Sequence, residues 1–243
     1  MNISLIGASK GIGFALCRTL LEDGHTVWAI ARHTDALGEL ATHYPNRLHV
    51  RAVDIAVEHE VTEWAKDIEK SNTMIDALIV NASVQEKDLK EAYDHEAGKH
   101  MLRVNLEGTL HCIGALMPLL QKNTKSAVLA IASTAALRPS MQSAAYSASK
   151  AGIAMAMRAF RLKYGPLPVQ FKTAYLGPIR TAMWEGKKSA LVPSSENAAR
   201  ALIRFLQSNR STLYYPLLTT TLLRLTLPLP DRFFSALSKR ILH

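Results

Sequence analysis

Two stretches of the chain carry residue types at spacings that suit chemistry. The first is Tyr146-Ser147-Ala148-Ser149-Lys150, in which a phenol and an ammonium stand one helical turn apart. On a helix that interval puts both on one face. A carbonyl that receives a hydride develops negative charge on its oxygen, so it needs a proton donor within hydrogen-bond reach. A free tyrosine, with a pKa of about 10, cycles too reluctantly between acid and base at neutral pH. A neighbouring cation favours its phenolate. The second stretch is Gly7-Ala8-Ser9-Lys10-Gly11-Ile12-Gly13, between a strand-like run and a helix-like one. Glycine there permits a tight turn and lets backbone N–H groups approach a pyrophosphate, which then rests on the positive end of the helix dipole. The bland alternatives are an amphipathic helix pair for the first stretch and a plain turn for the second, so the surrounding elements decide.

Those elements follow from hydrophobic periodicity. Short apolar runs predict strands at 2–6, 27–30, 48–53, 77–80, 126–132, 169–175 and 212–215, and helix-periodic segments lie between them at 12–22, 57–70, 98–121, 145–164 and 195–207. Strands alternating with helices predict an α/β fold, and right-handed crossovers make it a doubly wound parallel sheet of about seven strands with helices on both faces. The 243 residues, 48% hydrophobic and 20% charged, suit one globular domain and exclude disordered, collagen-like and disulfide-stapled classes. Only Cys17 and Cys112 occur, both in helix-like apolar stretches, which predicts a reducing compartment. Met1 to Gly7 run straight into a strand pattern without the features of a signal peptide, so a cytoplasmic protein is expected.

The net charge of +9 invites a nucleic-acid or membrane-surface reading. Much of that excess is local, however: residues 207–243 hold Arg210, Arg224, Arg232, Lys239 and Arg240 against Asp231 alone. No zinc-finger spacing or aromatic-basic stripe supports nucleic-acid binding. His95 and His100 stand five apart rather than four, which argues against a metal site. Ser133 lacks the Gly-x-Ser-x-Gly elbow of a hydrolase.

The spacing Gly-x-x-x-Gly-x-Gly at residues 7–13, followed by Tyr146-x-x-x-Lys150, resembles the short-chain dehydrogenase/reductase family over about residues 2–215. Ser133 thirteen residues before Tyr146, Asn105 within Val104-Asn105-Leu106-Glu107-Gly108, and Leu176-Gly177-Pro178-Ile179-Arg180-Thr181 add to the likeness. The resemblance implies a Rossmann-like NADP(H)-binding catalytic domain over 1–216 and a catalytic set of Asn105, Ser133, Tyr146 and Lys150. In that set Ser133 bonds the substrate oxygen, and Lys150 also holds the nicotinamide ribose. Asn105 holds a water that links Lys150 to solvent. Gly7, Ser9, Lys10, Gly11, Ile12 and Gly13 are then the pyrophosphate loop, Asp54 the partner of the adenine amino group, and Ile179 and Thr181 the carboxamide end. Asn81, in Asn81-Ala82-Ser83, resembles the family's Asn-Asn-Ala-Gly motif, with Val80 and Ser83 as departures. Leu176 likewise replaces the proline of the last turn.

An NAD-specific enzyme needs an acid at the end of the second strand, but here that strand ends in Arg32, and Lys10 lies in the glycine loop. NADP(H) is therefore the expected cofactor. The expected reaction reduces a hydrophobic ketone or aldehyde to an alcohol, or reverses that, because segment 182–194 offers Met183, Trp184 and Leu191 as lining. A non-catalytic NADP(H)-binding regulator is the alternative. Helix 145–164 is apolar around most of its circumference and predicts, with 98–121, the contact of a homodimer or homotetramer. In the extension 217–243, the leucine- and threonine-rich run 217–229 is too broken by Arg224 and Pro228 to span a bilayer. Beyond it a helix capped by Asp231 places Phe233, Phe234, Leu237 and Ile241 on one face. That face is suited to packing over the substrate cleft or on a neighbouring subunit, or to membrane-surface contact.

Overall fold

A computed structural model describes residues 1–181 and 192–235. The apolar runs form β1 (Asn2–Ile6), β2 (Thr26–Ala31), β3 (Leu48–Ala52), β4 (Ala77–Val80), β5 (Ser126–Ser133), β6 (Val169–Leu176) and β7 (Thr212–Tyr215). All neighbours pair in parallel, in the order β3-β2-β1-β4-β5-β6-β7. Every residue of β4 is buried, as a central parallel strand covered on both faces requires. The order reverses between β1 and β4, and at such a switch point the loops after neighbouring strands part to leave a crevice.

The helices are α1 (Gly11–Glu22), α2 (Gly38–His43), α3 (Glu58–Lys70), α4 (His95–Leu102), α5 (Gly108–Gln121), α6 (Ala144–Tyr164), α7 (Ser195–Gln207) and α8 (Leu217–Leu225). One face of the sheet packs Leu5, Ile79 and Leu129 against Leu16 and Leu20 of α1 and Leu202 of α7. The other packs Ile6, Leu78 and Val128 against Trp64 of α3, Leu116 of α5 and Met157 of α6. Cys17 and Cys112 are free and buried in these two cores, and burial pushes the Cys17 thiol up to about 12.

Three departures from the periodicity reading have local causes. The single helix expected over 98–121 begins earlier, at His95, where the Asp94 carboxylate accepts from the Ala97 amide at 3.1 Å. It then widens into a π-helical turn over Arg103–Glu107 around Asn105 before α5 resumes. The exposed α2 buries no residue and so leaves no apolar period. Residues 217–225, read as a broken run, are helical because the Pro216 carbonyl accepts from Thr220 in the first turn, and the break comes only at Thr226. Residues 231–235 are helical as expected. Asp231 does not stand before that helix as its cap: it is already helical, and its carboxylate accepts from Arg138 at 2.7 Å instead. Leu237, Lys239, Arg240 and Ile241 lie outside the described residues, as do Met183, Trp184 and Leu191. Among the described residues no helix is long and apolar enough to cross a membrane, and no cluster of three potential metal ligands occurs.

Candidate active site

The loop between β1 and α1 is shaped by its glycines. Gly7 and Gly11 adopt left-handed backbone angles, φ +81° and +53°, that β-carbon-bearing residues avoid. A Cβ on Gly13 would overlap the Gly7 carbonyl oxygen. That oxygen accepts from Asn81 Nδ2 at 3.0 Å, so the end of β4 is tied to the loop. The result is a cavity of about 280 Å³ at the switch point. Gly7, Ser9, Lys10, Gly11 and Ile12 form one wall, and Arg32, Asp54, Asn81 and Thr181 join them from four other segments. Gly13 and Ile179 do not line it. Gly13 packs behind the loop, and Ile179 is 7% exposed. Lys10 and Arg32 are exposed, and Asp54 is the only carboxylate in the lining among the described residues. One oxygen of that carboxylate accepts from the Ala56 amide at 2.9 Å. Ser83 also lines the cavity, its hydroxyl buried without a hydrogen-bond partner among the described residues.

Tyr146 and Lys150 reach the same edge of the sheet from α6. Two caps start that helix: the Ser143 hydroxyl accepts from the Tyr146 amide at 3.2 Å, and Asp88 accepts from the Ala144 and Ala145 amides, both at 2.8 Å. The Tyr146 phenol is hydrogen-bonded to the side chain of Ser133, the last residue of β5. Burial holds the phenol above its ordinary pKa, and the bond to Ser133 offsets only part of that. The Lys150 ammonium lies 5.7 Å from the Tyr146 ring centroid, donates to the Ile131 carbonyl at 3.1 Å, and is itself lowered to about 8 by burial.

Asn105 sits where the π-helical turn brings it against the loop that follows β4. Its Oδ1 accepts from the Val84 amide, and its Nδ2 donates to the Val84 carbonyl, each at 2.8 Å, and to the Ser149 hydroxyl at 3.2 Å. Both Nδ2 hydrogens are committed, so a water at Asn105 has to donate to one of its oxygens.

Sequence reasoning missed two further residues. Asp88 is fully buried, 0% exposed, and caps α6 from a loop without periodicity, so no pattern marks it. Arg138, 8% exposed, donates to the carbonyls of Thr226, Leu227 and Leu229 and to Asp231, with its guanidinium 4.8 Å from the Phe234 ring. The basic residue stands five positions after Ser133, and only its partners, some ninety residues away, reveal its purpose.

Residues 2–191 match the family model described as short chain dehydrogenase. The chain belongs to the short-chain dehydrogenase family. An uncharacterised oxidoreductase of Staphylococcus epidermidis is 28% identical to this short-chain dehydrogenase over 181 residues, covering 74% of the chain and 78% of the relative. The vibriobactin-specific 2,3-dihydro-2,3-dihydroxybenzoate dehydrogenase of Vibrio cholerae is 27% identical, over 75% of the chain and 71% of its own. Among solved structures, a short chain dehydrogenase of Burkholderia cenocepacia in complex with NADP superposes with a TM-score of 0.82 at 26% identity, covering 100% of this chain and 97% of that one.

Proposed function

We propose that this oxidoreductase uses NADP(H) to interconvert a carbonyl, a hydrophobic ketone or aldehyde, and its alcohol, with Tyr146 as general acid and base. The observation that carries the reading is the Tyr146 phenol hydrogen-bonded to Ser133, with the buried Lys150 ammonium one helical turn away. A phenol held above its ordinary pKa is protonated at neutral pH, as a donor to a developing alkoxide must be. Ser133 steadies the substrate oxygen from the other side, and Lys150 supplies the positive charge that stabilises the phenolate left behind. In the oxidative direction the same phenolate takes the alcohol proton, which leaves through Lys150 and a water at Asn105.

The cavity beside the glycine loop, whose tight turn leaves no room for a Cβ at Gly7 against Ala82 or at Gly13 against the Gly7 carbonyl, fits a dinucleotide. Gly7, Ser9, Gly11, Ile12 and Gly13 would hold its pyrophosphate, Asp54 its adenine and Asn81 the adenosine side. Tyr146 and Lys150 would hold the nicotinamide ribose, and Ile179 and Thr181 its carboxamide. Bound there, the cofactor supplies or accepts the hydride. Lys10 and Arg32 at the rim favour a 2′-phosphate, in keeping with the NADP of the Burkholderia relative. The partner is a small molecule, and two buried free thiols suit a reducing, cytoplasmic setting.

A panel of carbonyl compounds followed by NADPH absorbance tests the activity, and consumption with none of them counts against it. For the cofactor, NADPH is expected to bind more tightly than NADH and Arg32→Asp to invert that order. Equal dissociation constants for both nucleotides in the unaltered protein would overturn the assignment of Lys10 and Arg32.

A further inference from the structure

At the opposite end of the sheet, where β5, β6 and β7 begin, the turns feeding these strands border a second, open cleft of about 480 Å³. It shares no lining residue with the glycine cavity. Lys125, Arg161, Lys172 and Arg210 all line it, and among the described residues no aspartate or glutamate does. None of the four joins an ion pair among the described residues.

Two of these cations are drawn inward. Lys172 is 1% exposed, and its ammonium donates to the Ser208 and Arg210 carbonyls at 2.6 and 2.8 Å. Arg161 Nη1 donates to the Phe171 and Ser211 carbonyls and the Thr173 hydroxyl at 3.2 to 3.3 Å. An ammonium has three hydrogens and a guanidinium five, so both side chains keep donors beyond these bonds. Buried cations ordinarily come paired with a carboxylate. Here carbonyl dipoles stand in for it, and burial together with the charge of Lys125 lowers the proton affinity of Lys172. Lys125 and Arg210, both exposed, add two more positive charges at the rim.

We infer that this cleft binds a small phosphorylated molecule, whose anionic group meets Lys125, Arg161, Lys172 and Arg210 while Pro168 and Phe171 wall its apolar part. The anion supplies the counter-charge that the protein omits, and charge-assisted bonds from a guanidinium fork and an ammonium suit phosphate oxygens. The volume lies within the roughly 300–1,000 Å³ of small-molecule sites. A cleft of this size, with its four cations clustered together, suits a compact anion better than a polymer, which takes an extended basic stripe with stacking aromatics.

Inorganic pyrophosphate, titrated into isotope-labelled full-length protein and followed by amide NMR, tests the site independently of any activity. Saturable shifts are expected at Gln170, Arg210 and Ser211, with a Kd below about 1 mM. The double variant Lys125→Glu/Arg210→Glu is expected to weaken binding at least about tenfold through reversed charge. Its thermal stability and its binding of NADPH should not change. Shifts confined to residues 7–13 would overturn the inference, since the glycine loop would then be the only phosphate site. So would shifts reproduced by sodium chloride at equal ionic strength, or a double variant that binds as before. Response to a single-stranded oligonucleotide without response to pyrophosphate would assign the cleft to nucleic acid instead.

Discussion

At the scale of single residues, the site pairs two groups whose environments work against their charged forms. Burial raises the Tyr146 phenol and lowers the Lys150 ammonium to about 8. Tyr146→Phe is expected to cost at least about 10²-fold in kcat, the usual worth of a positioned acid or base, with circular dichroism unchanged. Near-normal turnover in that variant would remove Tyr146 from the mechanism. Lys150 carries a stability consequence as well. Its folded pKa lies below its unfolded value near 10.5, so between those values the unfolded chain binds the extra proton. Its contribution therefore grows as pH rises from about 8 toward 10, by up to about 3 kcal/mol, before the raised Tyr146 pKa turns the trend. Lys150→Met should flatten that rise and increase the melting temperature at pH 7 while abolishing turnover. A lower melting temperature would show that the Ile131 carbonyl bond outweighs the burial penalty.

At the scale of elements, what matters is how α6 is started and phased. Asp88 and Ser143 satisfy the amides of its first turn, and the position of the Tyr146 hydroxyl depends on them. Asp88→Ala leaves the Ala144 and Ala145 amides without their acceptors. It is expected to lower unfolding free energy by about 2 kcal/mol or more and to reduce kcat several-fold with little change in cofactor Kd. Chemical denaturation and steady-state kinetics check both effects. The π-helical turn belongs to the same scale. Its wider coil directs Asn105 onto Val84 and Ser149 instead of continuing the regular ladder, so α4 and α5 follow different phases. The glycine loop was legible from its spacing because the left-handed angles at Gly7 and Gly11 favour glycine and Gly13 has no room for a Cβ. Asp88 and the π-helical turn were not, because their reasons lie in partners from other elements.

At the scale of the whole molecule, α6 leaves a stripe of Ala148, Ala151, Met155, Ala159 and Leu162 exposed at helical spacing, with Met155 60% and Leu162 87% exposed. Such a stripe beside α5 suits a second copy of the chain, so we expect a homodimer or homotetramer that Leu162→Glu dissociates. Sedimentation at micromolar concentration showing a 26.8 kDa species in the unaltered protein would contradict this. The extension beginning at residue 217 turns back onto the domain. Thr219 and Thr220 pack beside Gly177, and Arg138 gathers the carbonyls of 226–229 with Asp231. No residue from 217–235 lines the glycine cavity. Removing 217–243 is therefore expected to impair turnover or assembly more than NADPH binding. A truncated protein with normal turnover and oligomeric state that no longer sediments with anionic liposomes would reassign the extension to the membrane surface, where exposed Leu217, Leu218, Leu222 and Leu225 would lie.

The order of strands and crossover helices, the glycine turn and the Tyr146/Lys150 face were determined by the sequence itself. Each depends on spacing within one element or on backbone angles that one residue type permits. Tertiary structure alone decided the direction of the Tyr146 shift, since burial outweighs the lowering effect of the Ser133 hydrogen bond. It also decided that Asn105 spends its amide on Val84, that Arg138 clasps a segment some ninety residues distant, and that four cations from two turns, a helix and a strand meet in one cleft without an acid among the described residues. Such outcomes rest on contacts between elements far apart in the chain, and no local pattern records them.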